Sequence, residues 1–103
     1  MPIYAAMNSL KSNIPHSVAA AQAFLNRLPP NVQDQLISAI YIGREHIHSN
    51  SLRNDMKINR AYTDHISKDE YANIIYEKGN SVITYFEKLE LCAGASGFNL
   101  NSL

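Results

Sequence analysis

Hydrophobic positions recur at steps of three and four residues along most of this chain, which is the spacing of one face of an α-helix. The longest such series begins at Val32, passes through Leu36 and Gly43 and ends at Ile47. Further apolar residues beside this stripe widen it. The pattern predicts a central helix from about Pro30 to His48 that is contacted on more than one side.

Gly43 lies in the middle of this central helix. A glycine inside a helix costs about 1 kcal/mol relative to alanine, so a compensating reason for it is expected. Gly43 lies one turn after Ala39, and two small residues on one face allow another backbone to approach closely. We therefore predict a packing role for Gly43 rather than a hinge.

Two helices precede the central one, and proline limits both. Ile3, Met7 and Leu10 predict a short first helix that ends before Pro15. The second helix begins at Pro15 or at a Ser17 cap, and the pair Pro29 and Pro30 ends it.

The pattern is weaker between residues 49 and 66, where a loop over 49–55 is followed by a short helix carrying Ile58, Ala61, Tyr62 and His65 on one side. Ser67 and Glu70 then form a capping box that opens the next helix, and Gly79 stops it. Asn80 or Ser81 begins the last helix, and Gly94 ends it.

No segment shows the sustained two-residue alternation of a half-buried strand. The predicted fold is therefore all-α, a compact bundle of four to five helices without a sheet. The length of 103 residues fits a single domain, 1–103. The tail, 93–103, keeps Phe98, Leu100 and Leu103, so we expect it to dock either on the body or on a partner.

The charge and the cysteine content limit the classes of function that the protein could have. Nine basic and nine acidic residues give a formal net charge of +0, so no large positive field is present for nucleic acid. Charged residues make up only 17%, which favours self-association, with a homodimer slightly preferred. Cys92 is the one cysteine, and neither a signal peptide nor a membrane span is indicated, so we predict a cytoplasmic protein.

The stretch from Arg44 to His48 is the strongest candidate for chemistry. His46 and His48 lie about 200° apart around a continuous helix, so they cannot chelate one metal ion from one face. Arg44 and His48 are one turn apart and could share a site. The candidate binding residues are Tyr41, Arg44, Glu45, His48 and His65, and we assign no catalytic residue, metal or cofactor. A polar helix end is the favoured interpretation.

The chain has six tyrosines and no tryptophan. A tyrosine ring buries a large apolar area and keeps a polar tip, which suits both a core edge and an interface. The core edge is the favoured interpretation. The candidate interface residues are Tyr71, Tyr76, Tyr85, Phe98 and Leu100.

The segment LPPNVQDQLISAIYIGREH, together with IIYEKGNSVITYFEKLEL, resembles an uncharacterised bacterial family of small helical proteins, a domain of unknown function. The matching residues are Leu36, Ala39, Ile40, Tyr41, Ile42, Gly43 and Arg44. Tyr41 stands where the family usually has tryptophan, and Glu45 stands where it usually has a second glycine. The resemblance implies a helical fold and no particular activity.

Three classes of function fit these observations. The leading one is a non-enzymatic protein–protein interaction module that associates with itself or with another protein. The second is a small ligand-binding protein or enzyme that uses Arg44, Glu45 and His48. The third is a phage- or toxin-related inhibitor or immunity protein. The sequence contains no recognisable catalytic motif, so we favour a non-enzymatic function.

Overall fold

Five α-helices and three short 3-10 turns make up the computed structural model, which describes residues 2–103. The helices are α1 (Ile3–Ser12), α2 (Val18–Leu25), α3 (Pro30–Glu45), α4 (Tyr71–Lys78) and α5 (Ser81–Ala95). The 3-10 turns are Arg60–Thr63, Lys68–Glu70 and Leu100–Ser102. No strand occurs in residues 2–103, and the radius of gyration is 12.6 Å, close to the ~13 Å of a compact domain of this length. The all-α prediction is confirmed.

Helix α3 is the centre of the bundle. It packs against α5, α1 and the 3-10 turn at Arg60–Thr63, while α2 packs against α4. Six consecutive residues of α3, from Gln35 to Ile40, are buried, so neighbours cover the helix on several sides. The prediction of a central helix is confirmed, although α3 ends at Glu45 and not at His48.

Gly43 lies at a close approach of α3 to α5. A Cβ atom at this position would lie 2.8 Å from the carbonyl carbon of Tyr85 and 3.2 Å from its Cα atom. These are backbone atoms, which cannot rotate away as the end of a side chain can. The packing role predicted for Gly43 is confirmed.

Start and stop residues mark several helix boundaries, although α2 ends at Leu25 and not at the predicted Pro29–Pro30 pair. The Ser17 Oγ atom accepts a hydrogen bond from the Ala20 amide at 3.0 Å, and Pro30 occupies the first turn of α3. Gly79 ends α4 with a φ of 52°. The prediction for Gly94 is wrong, because α5 continues through it to Ala95.

Ser67 does form a cap, but its Oγ atom accepts from the Asp69 amide at 3.4 Å. A 3-10 turn, Lys68–Glu70, follows, and α4 begins only at Tyr71. The predicted capping box is therefore wrong, because Ser67 caps a 3-10 turn and the Glu70 side chain forms no hydrogen bond back to the Ser67 amide.

The short helix predicted before Ser67 is reduced to the single 3-10 turn at Arg60–Thr63. The Asn59 side chain caps this turn by accepting a hydrogen bond from the Ala61 amide at 2.8 Å. Ala61 and His65 are exposed, so the segment has no continuous apolar face with which to extend into a longer helix.

The C-terminal tail docks on the body. Leu100 and Leu103 are buried in the core. The Leu100 amide donates to the Tyr4 hydroxyl at 2.9 Å, and the Gln35 side-chain amide donates to the Leu103 carbonyl at 3.2 Å. These contacts tie the tail to α1 and α3, which is one of the two arrangements predicted for it.

Candidate functional site

The histidine stretch is a structural corner. α3 ends at Glu45, and the next residue, His46, is 0% exposed. The His46 Nε2 atom accepts a hydrogen bond from the Arg53 amide at 3.0 Å, so Nε2 carries no proton. The Nδ1 atom lies 2.7 Å from the Ile42 carbonyl oxygen and donates to it. We therefore assign His46 as the neutral Nδ1-protonated tautomer, which joins the end of α3 to the following loop.

Two expectations for this stretch are wrong. His46 and His48 do not lie on one continuous helix, because the helix ends before them. His46 is also not part of a solvated helix end. Both of its ring nitrogens are occupied by backbone groups, so it has no free nitrogen for a ligand. Across residues 2–103, no three His, Cys, Asp or Glu side chains gather closely enough to hold a metal ion.

Arg44, Glu45 and His48 are exposed and do not converge on a pocket. The Glu45 carboxylate lies 3.7 Å from the Arg53 guanidinium. Arg53 in turn forms two hydrogen bonds with Asp55, at 2.9 and 2.8 Å. The hydrogen bonds from Arg53 lower the pKa of the Asp55 carboxyl group.

A groove of about 670 Å³ lies between the C-terminal half of α3, the segment from Tyr62 to Ile66, and α4. Two of the predicted binding residues, Tyr41 and His65, line it, whereas Arg44, Glu45 and His48 do not. The lining comprises Tyr41, Tyr62, Thr63, His65, Ile66, Glu70, Asn73, Ile74 and Glu77. We call this surface the tyrosine groove.

One wall of the tyrosine groove is acidic. Glu70, Asn73 and Glu77 follow one another at steps of three and four residues, which places them on one side of α4 and of the turn before it. Neither glutamate forms an ion pair with another residue in the described part of the chain, 2–103. Both carboxylates are therefore available to a ligand.

The rest of the lining is aromatic and aliphatic. Tyr41, Tyr62, Ile66 and Ile74 are half-buried, so each presents part of its apolar surface to the groove. Partial burial raises the pKa of Tyr62, and the negative charge of nearby Glu45 raises it further. Tyr62 is accordingly a neutral hydrogen-bonding group at neutral pH.

The Tyr41 ring already contacts a cation. The Lys78 Nζ atom lies 5.3 Å from the centroid of this ring, within the distance at which an ammonium group is attracted to an aromatic face. The groove therefore combines an aromatic surface that accepts a positive charge with two carboxylates that attract one.

The five candidate interface residues separate into two groups. Tyr76 is 45% exposed, and Tyr85 and Phe98 are half-buried. Tyr71 and Leu100 are core residues, only 4% and 0% exposed, so we remove these two from the predicted interface.

Tyr71 joins α4 to α3. Its hydroxyl donates to the Asp34 carboxylate at 2.9 Å. Burial, together with this hydrogen bond and the charge of Asp34, raises the pKa of Tyr71 to about 12. Its polar tip is therefore satisfied inside the protein.

Several groove residues were not singled out from the sequence as binding residues. Glu70 was assigned to helix capping, and Asn73 and Glu77 were assigned no role. Their spacing was a usable signal, because with Ile74 they form a second face of α4, distinct from the core face of Tyr71 and Ile75. Nothing in the local sequence indicates that Tyr41 meets this face.

Comparisons of the chain with protein-family models, with curated proteins and with solved structures find no match. Within residues 2–103, no helix has the length and the apolar composition needed to cross a membrane.

Proposed function

We propose that this protein is a non-enzymatic interaction module whose tyrosine groove binds a segment of another protein that presents a basic side chain beside an apolar one. The observation that carries the proposal is that two carboxylates without an ion-pair partner, Glu70 and Glu77, line the same groove as half-buried tyrosines. A lysine or arginine side chain has the matching chemistry, an apolar stem with a charged end.

The size of the groove supports this type of partner. Its volume of about 670 Å³ lies within the ~300–1,000 Å³ of typical ligand pockets. Tyr62 contributes aromatic surface, as does the part of Tyr41 that Lys78 does not cover, and Ile66 and Ile74 offer surface to an aliphatic neighbour. One basic and one apolar side chain of an extended segment can therefore be accommodated together.

An enzyme that uses Arg44, Glu45 and His48 has less support. Those three side chains are exposed and do not line the tyrosine groove. The remaining titratable groups of the groove are two glutamates, two tyrosines and His65, without a nucleophile that contacts a base. A lone buried Cys92, which can form no disulfide within the chain, is in keeping with a cytoplasmic protein.

Self-association is a second candidate, and Leu91 favours it. This side chain is 55% exposed and borders a shallow cavity of about 380 Å³ that also includes Ile47 and Thr84. A Leu91→Asp variant would be expected to weaken a dimer formed through this face. Analytical ultracentrifugation of the wild-type protein tests the idea, and a monomer at all concentrations would contradict it.

The groove proposal is tested with two short peptides, Ac-Leu-Lys-Leu-NH2 and Ac-Leu-Glu-Leu-NH2, titrated into 15N-labelled protein. We expect the lysine peptide to cause saturable shifts of the amides of Asn73, Ile74 and Glu77. The glutamate peptide should not do so, because the two carboxylates of the groove repel it.

A matched pair of variants shows whether the groove carboxylates are responsible. Glu77→Gln removes one unpaired charge, and we expect binding to weaken about three- to tenfold because the site is partly open to solvent. Asp69→Asn removes another exposed carboxylate, which lies beside Glu70 but outside the groove lining, and it should leave the affinity nearly unchanged. Equal effects of the two changes, or equal binding of both peptides, would contradict the proposal.

A further inference from the structure

A second cavity, on the opposite half of the sequence, has the reverse charge. Its volume is about 350 Å³, and it lies between the end of α1, the connection to α2, and the exposed side of α2. The polar side chains that line it include Asn13, His16 and Arg27, and its lining contains no aspartate or glutamate. We call it the Arg27 cavity.

Arg27 contacts an aromatic ring and is not neutralised by a carboxylate. Its guanidinium carbon lies 5.4 Å from the centroid of the Phe24 ring. Phe24 is only 7% exposed, so the core fixes the ring on which the guanidinium rests. Among residues 2–103, no carboxylate lies within ion-pair distance of Arg27. A guanidinium stacked on a ring keeps the N–H groups along its edge free for a planar anion.

The rest of the Arg27 cavity is apolar. Ile14 and Phe24 contribute aliphatic and aromatic surface, and Ala20 and Ala23 on the exposed side of α2 leave space above them. A bare inorganic anion would leave this surface uncovered, whereas an anion with a small branched apolar group would cover it.

We propose that the Arg27 cavity binds a small organic carboxylate with a short branched apolar group. Arg27 binds the carboxylate through the edge of its guanidinium, and His16 and Asn13 offer further hydrogen-bond donors to it. Ile14 and the α2 alanines contact the apolar group. The proposal is independent of the tyrosine groove, because the two surfaces share no lining residue and favour ligands of opposite charge.

The test uses 3-methylbutanoate and its uncharged isostere 3-methylbutanamide, each titrated into 15N-labelled full-length protein, with inorganic phosphate as a third arm. We expect saturable shifts of the amides of Asn13, His16 and Ala23 with the carboxylate, and weak or no shifts with the amide and with phosphate. Binding of the amide as tight as that of the acid would overturn the proposal. So would phosphate binding tighter than that of 3-methylbutanoate, because the apolar lining would then have no role.

Three variants locate the site. Arg27→Gln removes the charge and should weaken binding roughly tenfold or more. Ala23→Leu keeps every charge and fills the cavity from an exposed helix position, so it should also abolish the shifts while the circular dichroism spectrum stays unchanged. Arg44→Gln removes an exposed arginine that does not line this cavity, and it should bind as the wild type does. Unchanged binding by both Arg27→Gln and Ala23→Leu would refute the assignment.

Discussion

Replacing Gly43 with alanine adds one methyl group at a point where the backbones of α3 and α5 lie close together. On an isolated helix this change stabilises by about 1 kcal/mol, because alanine is the best helix former and glycine a poor one. In this protein the new Cβ atom would lie 2.8 Å from the carbonyl carbon of Tyr85. We therefore expect Gly43→Ala to destabilise the fold.

The expected loss of stability depends on which atoms must move to make room for the new methyl group. The contact is with backbone atoms of α5, so the two helices have to separate along their shared face, and apolar side chains on both lose contact. Overpacking of a core costs about 1–3 kcal/mol, and a clash with a backbone belongs at the upper end of that range. After subtracting the gain in helix propensity, we expect a net loss of about 2 kcal/mol. For a chain of this length that corresponds to a decrease of about 8–16 °C in Tm.

Gly94 provides a matched control on the partner helix. It lies within α5, and a Cβ atom added there would meet nothing within 4 Å. Gly94→Ala should therefore be neutral or stabilising by up to about 1 kcal/mol. Urea unfolding followed by circular dichroism measures both variants against the wild type. If Gly43→Ala proved as stable as Gly94→Ala with an unchanged m-value, the close approach of the two helices would not exist as described.

Three further changes test other contacts. His46→Ala leaves the buried Ile42 carbonyl and the part-buried Arg53 amide without their side-chain partner and should cost about 3 kcal/mol, with faster hydrogen exchange of the Arg53 amide. His48→Ala at an exposed position should be nearly neutral. Tyr71→Phe should cost about 1–2 kcal/mol at neutral pH. Because the pKa of Tyr71 is raised to about 12 from 10.0, its contribution is complete below pH 10 and is lost as the pH rises towards 12. Urea titrations in this range should therefore show a larger fall in stability for the wild type than for Tyr71→Phe, in which only other groups such as Tyr62 still titrate. Leu100→Ala should cost about 2–4 kcal/mol in thermal unfolding, since the tail packs in the core, and an unchanged Tm would refute that docking.

Helix positions were predictable wherever a periodic apolar face coincided with a stop or start residue. In α2 the Ser17 cap marks the start of the helix, and this signal is local chemistry. The end was predicted less well, because α2 stops at Leu25, four residues before the Pro29–Pro30 pair. Gly43 was predictable for a related reason. An unfavourable residue in a strong helix implies a compensating contact, although the sequence does not say that the contact is the backbone at Tyr85.

The end of α3 was not predictable in the same way. Ile47 continues the apolar spacing of the helix, so periodicity alone extends it to His48. The chain instead turns after Glu45, because the buried imidazole of His46 bonds the carbonyl of Ile42 and the amide of Arg53. The second hydrogen bond is made with a residue seven positions later, in an irregular loop. The spacing of hydrophobic residues cannot predict such a contact. His46, a histidine in the stretch with the strongest candidates for chemistry, therefore has a structural role: it provides hydrogen-bond partners for two backbone groups.

The distribution of charge over the two binding surfaces was also not predictable from the sequence. The formal net charge of +0 correctly describes a chain without a large uniform field, but it is a sum and carries no spatial information. Folding brings Glu70 and Glu77 to one groove and leaves Arg27 in another cavity that has no carboxylate in its lining. The tyrosines of the groove come from α3 and from the loop before α4, so their meeting depends on how that loop crosses α3. A chain with zero net charge can therefore carry two local sites of opposite charge. Raising the ionic strength should weaken the binding of a cationic peptide to the tyrosine groove and the binding of a carboxylate to the Arg27 cavity.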